Sequence, residues 1–144
     1  MRGRVAIFAF FAFVGCSATR VARTEPATAR PDPALSSELD SSREFLLASA
    51  AADFHAHGAP ARVRQVRMGH VVAADGARRY MLCGEFLATQ SQGDAPWTPF
   101  ATLKTSGYEQ WLGAPAASYC GPRIIWDDRD DLSPALQSRL DSLR

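Results

Sequence analysis

Apolar positions recur along this chain with two different periods, and the change of period divides it into elements. Between Pro33 and Gly58 the spacing is helical. Leu35, Leu39, Leu46, Ala50 and Phe54 fall close to one stripe, Phe45 and Leu47 widen it, and Glu38, Arg43 and Glu44 lie largely off it. Asp32 can cap the first free amides, Pro33 suits the first helical position, and Gly58 followed by Pro60 supplies the stop. From Arg62 the period shortens. Val63, Val66, Met68, Val71 and Val72 alternate imperfectly with Arg62, Arg64 and Arg67, which predicts a strand over 62–72 bulged near Gln65. Ala74-Asp75-Gly76 is a turn signal, and Arg78 to Leu87 reads as the returning strand. Tyr80, Leu82 and Phe86 point one way along it and Met81, Cys83 and Leu87 the other, so apolar groups on both faces predict a central position in a sheet.

Breaks at Gly93, Pro96 and Pro99 predict a loop from Ala88 to Pro99, with Trp97 packed down as its anchor. Phe100 to Lys104 is expected to be a third strand, Thr105 to Pro122 an irregular stretch pinned by Tyr108, Trp111, Tyr119 and Cys120, and Arg123 to Trp126 a short strand. Ser133 is expected to cap a last helix with Pro134 at its first position and Leu136, Leu140 and Leu143 along its apolar edge. The expected fold is α+β: an amphipathic N-terminal helix packed on one face of a small antiparallel sheet, followed by a short C-terminal helix.

The first residues obey a different logic. Arg2 and Arg4 precede an unbroken apolar run of ten residues, Val5 to Val14, with Gly15 before Cys16. This is the pattern of a secretory signal, and it falls short of the about 20 residues that a membrane-crossing helix needs. Phe13-Val14-Gly15-Cys16 resembles the lipobox of bacterial lipoproteins, with Phe13 where Leu is usual. The resemblance implies cleavage of residues 1–15, lipidation of Cys16 and a mature chain held on the membrane by that lipid. Ser17 stands where Asp would mark retention at the inner membrane in enteric-type bacteria, so the resemblance implies the outer membrane, facing the periplasm. The other reading is a plain cleaved signal peptide and a soluble exported protein.

Residues 16–33 read as a flexible tether, because Ser17 to Pro33 is small and polar with three prolines and no aromatic residue. Residues 34–144 then form one domain of ordinary size. That domain holds 11 Lys and Arg against 13 Asp and Glu, which gives no general electrostatic case for nucleic acid. If Cys16 carries lipid, Cys83 and Cys120 are an even pair in an oxidising compartment, and a disulfide between them is expected over two free thiols.

Several groups suggest chemistry. Asp53-Phe54-His55-Ala56-His57 has the D-x-H-x-H spacing of metal-dependent hydrolases, but it ends a helical stretch, where residues two apart do not share a face. Asp127, Asp128, Asp130 and Asp131 could suggest calcium, yet the glycine and distal glutamate of a calcium loop are missing, and a solvated cluster ahead of the last helix is expected instead. Cys83 with His70 or His55 would need a free thiol, and Glu85 with Glu109 would need a fixed separation. No cofactor or metal is expected. Arg62, Arg64, Arg67, Arg78 and Arg79 lie on the two strands of the predicted hairpin and form either a basic interaction face or an ordinary solvated one.

Ala61-Arg62-Val63-Arg64-Gln65-Val66 after a helix, then Cys83-Gly84-Glu85-Phe86, Gly93, Phe100 and a later Cys120, resemble a group of small exported bacterial proteins. Their pattern is a strand ending in C-G-E-V-N, a Gly/Tyr-rich turn, an aromatic residue and a distal cysteine. In this chain Leu87 stands in place of the Asn, and Asp94-Ala95-Pro96-Trp97 in place of the Gly/Tyr turn. The resemblance implies the disulfide and the helix-on-sheet layout, and no activity. The expected function is that of an envelope lipoprotein whose domain binds an envelope protein or wall polymer without catalysis. A small envelope hydrolase using Glu85, Glu109 or the histidines is the alternative.

Overall fold

The computed structural model describes residues 33–89, 96–127 and 130–144. The expected signal (1–15), the lipidation site Cys16, the tether up to Asp32 with its capping role, part of the 88–99 loop and Asp128 lie outside the described residues. The elements in chain order are α1 (Pro33–His57), β1 (Arg62–Val72), β2 (Arg78–Leu87), β3 (Thr98–Lys104), β4 (Tyr108–Leu112), α2 (Ala114–Tyr119), β5 (Ile125–Trp126) and α3 (Ser133–Ser142). The strands make one sheet in the order β4-β3-β2-β1-β5, with every neighbouring pair antiparallel. This is the expected α+β layout, with β2 at its centre.

The β1–β2 hairpin forms where turn chemistry demands it. Gly76 sits at φ +81°, its N–H donates to the Ala73 carbonyl at 2.9 Å, and the Ala77 N–H donates to Asp75 Oδ1 at 3.0 Å. Further along, Arg64 pairs with Glu85 but Arg67 pairs with Cys83, so two residues of β1 oppose Gly84 alone. This is the expected bulge, and Gln65 at φ +54° is where the backbone absorbs it. The bulge also re-phases the strand. Arg64 and Arg67, an odd number of residues apart, end up on the same face.

One face of the sheet carries Val63, Val66, Met68, Tyr80, Leu82 and Phe100, packed under Leu46, Leu47, Ala50 and Phe54 of α1 and Leu136 and Leu140 of α3. Phe54 is the hub, with its ring centroid 5.2 Å from those of both Phe86 and Phe100. Gly84 is required beneath it, because a Cβ there would sit 2.8 Å from the Phe100 ring and 2.9 Å from Val66. The expected stripe of α1 is buried at Leu46, Leu47, Ala50 and Phe54, with Leu39 packed against the core, and departs from expectation at three positions. Ser42 is fully buried, accepting a hydrogen bond from Lys104 Nζ at 3.0 Å, whereas Leu35 and Phe45 are exposed, Phe45 lying under the Lys104 ammonium. The other face carries a smaller cluster of Met81, Cys83, Ala101, Ala116 and Ile124.

The stretch from Thr105 to Pro122 is more regular than expected, since it contains β4 and α2. The expected disulfide forms between Cys83 in the centre of β2 and Cys120 just after α2, with Cα atoms 6.0 Å apart. It holds the 113–126 segment against the second face.

β5 pairs with β1 only at Gly69 and His70, which leaves the rest of the β1 edge without a strand partner. The approach to α3 covers it. The Leu132 N–H donates to the Val66 carbonyl at 2.7 Å, the Val66 N–H donates to Ser133 Oγ at 3.0 Å, and the Val63 N–H donates to Gln137 Oε1 at 3.1 Å. Ser133 is therefore not the cap that its position suggested. Its own N–H donates to Asp131 Oδ1 at 2.9 Å, its hydroxyl is hydrogen-bonded to the same oxygen, and Leu132 is the residue at the helix boundary. Asp131, one residue before that boundary, takes the N–H of the first helical residue.

Burial pushes the Asp131 carboxyl up, but hydrogen bonds from the Ser133 hydroxyl, the Ser133 N–H and the Val66 N–H outweigh it and hold the group below the usual carboxylate range. A lowered folded value means stability that is present above the unfolded value of about 3.9 and lost as pH falls through the folded one. Asp131→Asn is expected to lower stability at about pH 7 and to match the parent at about pH 2. Urea melts at the two pH values check this; an equal deficit at both would assign the loss to geometry instead of charge.

Candidate functional site

The face of the sheet opposite α1 carries the chain's most distinctive surface chemistry. Cross-strand partners share a face, so the register places Arg62, Arg64 and Arg67 of β1 beside Leu87, Glu85 and Cys83 of β2, with Arg79 further along β2 beside Val71. Arg78 is one residue out of phase and lies on the α1 side, where the Tyr80 hydroxyl beside it raises its pKa still further. Four of the five expected arginines thus share one face, and the bulge is what unites Arg67 with the others.

Two of these guanidinium groups stack on indole rings. Arg64 lies 4.1 Å from the centroid of Trp97, and its Nε and a terminal nitrogen each reach Glu85 Oε2 at 2.7 Å. Arg67 lies 4.5 Å from the centroid of Trp126. The third tryptophan of the chain, Trp111, is on the same face opposite Ala101, packed on Tyr119 with ring centroids 5.5 Å apart. All three indoles therefore lie on the disulfide face. Trp111 and Trp126 are each 37% exposed, an unusual expense of aromatic surface to solvent.

The Arg67–Trp126 stack borders a shallow cleft of about 550 Å³, lined also by Gln65, Glu85, Pro99, Asp131 and the disulfide cysteines Cys83 and Cys120. Trp126 is in place because Gly69 opposite it lacks a side chain. A Cβ there would lie 2.4 Å from Ile124 Cγ2, 2.8 Å from the Ile125 carbonyl oxygen and 3.1 Å from the Trp126 ring. β5 is held from below as well: His70 Nδ1 lies 2.6 Å and 2.7 Å from the two carboxylate oxygens of Asp127, and the two side chains are only 6% and 10% exposed. A carboxylate can only accept, so Nδ1 carries the hydrogen.

The other groups with catalytic potential are spread out. His55 and His57 are both exposed in the last turn of α1. His57 Nδ1 lies 2.9 Å from the Asp53 carbonyl oxygen, and Asp53 Oδ1 accepts a hydrogen bond from the Tyr108 hydroxyl at 3.4 Å. Burial and the Asp53 charge both raise the Tyr108 pKa. Among the described residues no group of three or more His, Cys, Asp or Glu side chains is placed to hold a metal ion. Cys83 is in the disulfide and so offers no thiol to His70 or His55. Glu85 is tied to Arg64, and Glu109 lines a different cleft, where it accepts from Trp111 Nε1 at 3.3 Å. The expected solvated acidic cluster is also revised: Asp127 is buried against His70 and Asp131 caps α3, while Asp130 remains exposed.

Sequence reasoning missed the convergence of the tryptophans and the His70–Asp127 pair. Each brings together segments far apart in the chain, and the one available signal was that three indoles are many for a short domain with so small a core. No helix among the described residues is long and apolar enough to cross a membrane. No known protein family, curated protein or solved structure matches this chain.

Proposed function

We propose that this chain is an exported lipoprotein, anchored through Cys16, whose domain is a non-catalytic binding module for another envelope component, an envelope protein or a wall polymer. The observation that supports the reading best is the pair of arginine–indole stacks beside the shallow cleft at the disulfide. Tryptophan, tyrosine and arginine are the side chains that most often carry interface energy, because each buries a large rigid surface and keeps a polar edge for hydrogen bonds. Stacking with arginine holds each indole in one orientation, which reduces the entropy lost when a partner settles on it. The dispersion of Glu85, Glu109 and the three histidines supports binding over hydrolysis, since Glu85 and Glu109 line different clefts and no histidine lines either.

An anchor followed by a tether of about 17 residues would allow the domain a root-mean-square reach of roughly 20–25 Å from the membrane. The test is crosslinking of the full-length protein in its own envelope, with Arg64→Ala, Trp126→Ala and the unanchored Cys16→Ser compared with the parent. One partner is expected, reduced about tenfold or more by Arg64→Ala and by Trp126→Ala at unchanged thermal stability. Capture undiminished in both face variants would overturn the reading.

A further inference from the structure

At the hairpin end of the same face, away from the arginine–indole stacks, two clefts of about 780 Å³ and 540 Å³ share Arg79, Met81, Leu103 and Tyr119 and so run into one another. Each is of the size usual for small-molecule sites, about 300–1,000 Å³. The larger one is apolar along its length and cationic at two points. Val71, Met81 and Leu103 supply the apolar wall, and Arg79 and Arg123 the charge. The register puts all three apolar residues on the face of Arg79, Val71 opposite it and Met81 opposite Leu103. Neither the Arg79 nor the Arg123 guanidinium makes a hydrogen bond or ion pair among the described residues, and the one carboxylate in the adjoining cleft, Glu109, is engaged by Trp111 Nε1.

From this pairing of an apolar trough with two guanidinium groups we infer that the cleft binds a medium-chain fatty acid, its alkyl chain along Val71, Met81 and Leu103 and its carboxylate between Arg79 and Arg123. An alkyl chain matches the apolar wall, and a carboxylate offers the planar pair of acceptors that guanidinium groups recognise. A purely apolar ligand would leave both arginines without a partner, and a purely anionic one would leave the apolar wall in water. Both parts of the ligand are needed. The inference stands apart from the proposed partner, because the arginine–indole stacks take no part in it.

The test titrates the full chain carrying Cys16→Ser, in detergent-free buffer, with dodecanoate, decanoate and dodecan-1-ol by calorimetry. Dodecanoate is expected to bind at one site per chain. Decanoate, shorter by two methylenes, is expected to bind roughly fifteenfold more weakly, since each buried methylene is worth about a fourfold change. Dodecan-1-ol and the Arg79→Gln/Arg123→Gln variant with dodecanoate are expected to lose about tenfold or more. Absence of saturable binding would overturn the inference, as would equal affinity for acid and alcohol or for parent and arginine variant, which would mark unspecific partitioning. Retention on anionic vesicles without one-to-one dodecanoate binding would overturn it too, in favour of contact with a lipid surface.

Discussion

Replacing Cys83 and Cys120 together by alanine is expected to lower the stability of the domain by about 4 kcal/mol and its Tm by roughly 15 °C. The disulfide joins residues separated by 37 positions. Its removal restores to the unfolded chain the freedom of a closed loop, which the chain-entropy account sets at about 4 kcal/mol for a loop of that length. A local effect adds to this. Cys120 follows α2, a helix of six residues, far below the about 12–15 at which an isolated helix becomes marginal in water. Little else holds α2 to the sheet: of its residues only Ala116 is buried. Cleavage of the cross-link should therefore loosen the 113–126 segment before the sheet itself, and with it Tyr119, Arg123 and both clefts that they line. Since domains of this size retain about 5–15 kcal/mol in total, the reduced protein should be close to unfolding at body temperature. Urea melts of the parent with and without reductant, alongside the double variant, check the account. The variant should match the reduced parent and show no further response to reductant; a difference below about 1 kcal/mol between oxidised and reduced parent would remove the disulfide from the list of what holds this fold.

Which features could be read from the sequence follows from how each is stabilised. α1, β1 and β2 show in the sequence because each buries a face, and burial imposes a period: Leu46, Ala50 and Phe54 on the helix, Tyr80 and Leu82 against Met81 and Cys83 on the central strand. Even the bulge is visible, since the apolar set steps from Val63 to Val66 and Met68, which no unbroken strand would keep on one face. β4 buries neither face, so Tyr108–Leu112 carries no alternation to read, and its place is decided by the ladder to β3. α2 is too short for a period to repeat. The cap of α3 is ambiguous in the sequence because Asp131 and Ser133 both suit the role; the buried Val66 N–H at the bulge claims the serine and leaves the first helical N–H to the aspartate. The candidate site was legible only in its arginines. Trp97, Trp111 and Trp126 come from the approach to β3, from β4 and from β5, and only the register of all four strand pairs brings them to one face.

The His70–Asp127 pair was the least legible feature of all, and its loss should be felt both in stability and at the binding face. The two residues are 57 positions apart, and nothing in the sequence marks either as buried. Removing one member of a buried hydrogen-bonded pair leaves the other without a partner in a site that excludes water, at a cost of about 3–5 kcal/mol when the remaining group is charged. His70→Ala, which strands a carboxylate, should therefore destabilise by about 3 kcal/mol or more, and Asp127→Ala, which strands an imidazole N–H, by about 1–3 kcal/mol. Asp127→Asn should cost only about 1 kcal/mol, because the amide oxygen still accepts from Nδ1 and one contact alone is lost. In a double-mutant cycle the alanine pair should recover much of the sum, since the second substitution removes the group that the first left stranded. The consequence reaches the proposed site because β5 has just two residues in the ladder, one of them paired with His70 itself. With the pair broken, Ile125 and Trp126 lose their hold on the β1 edge, and Trp126 can no longer lie under Arg67. Asp127→Ala should thus weaken partner capture as Trp126→Ala does, although the Asp127 side chain lies beneath the surface that the partner would touch. Hydrogen exchange at residues 125–127 separates this from general unfolding: protection should fall there while that of β2 and β3 is kept. Unchanged protection at β5 in Asp127→Ala would show that the ladder and the packing of Ile124 hold the strand without the buried pair.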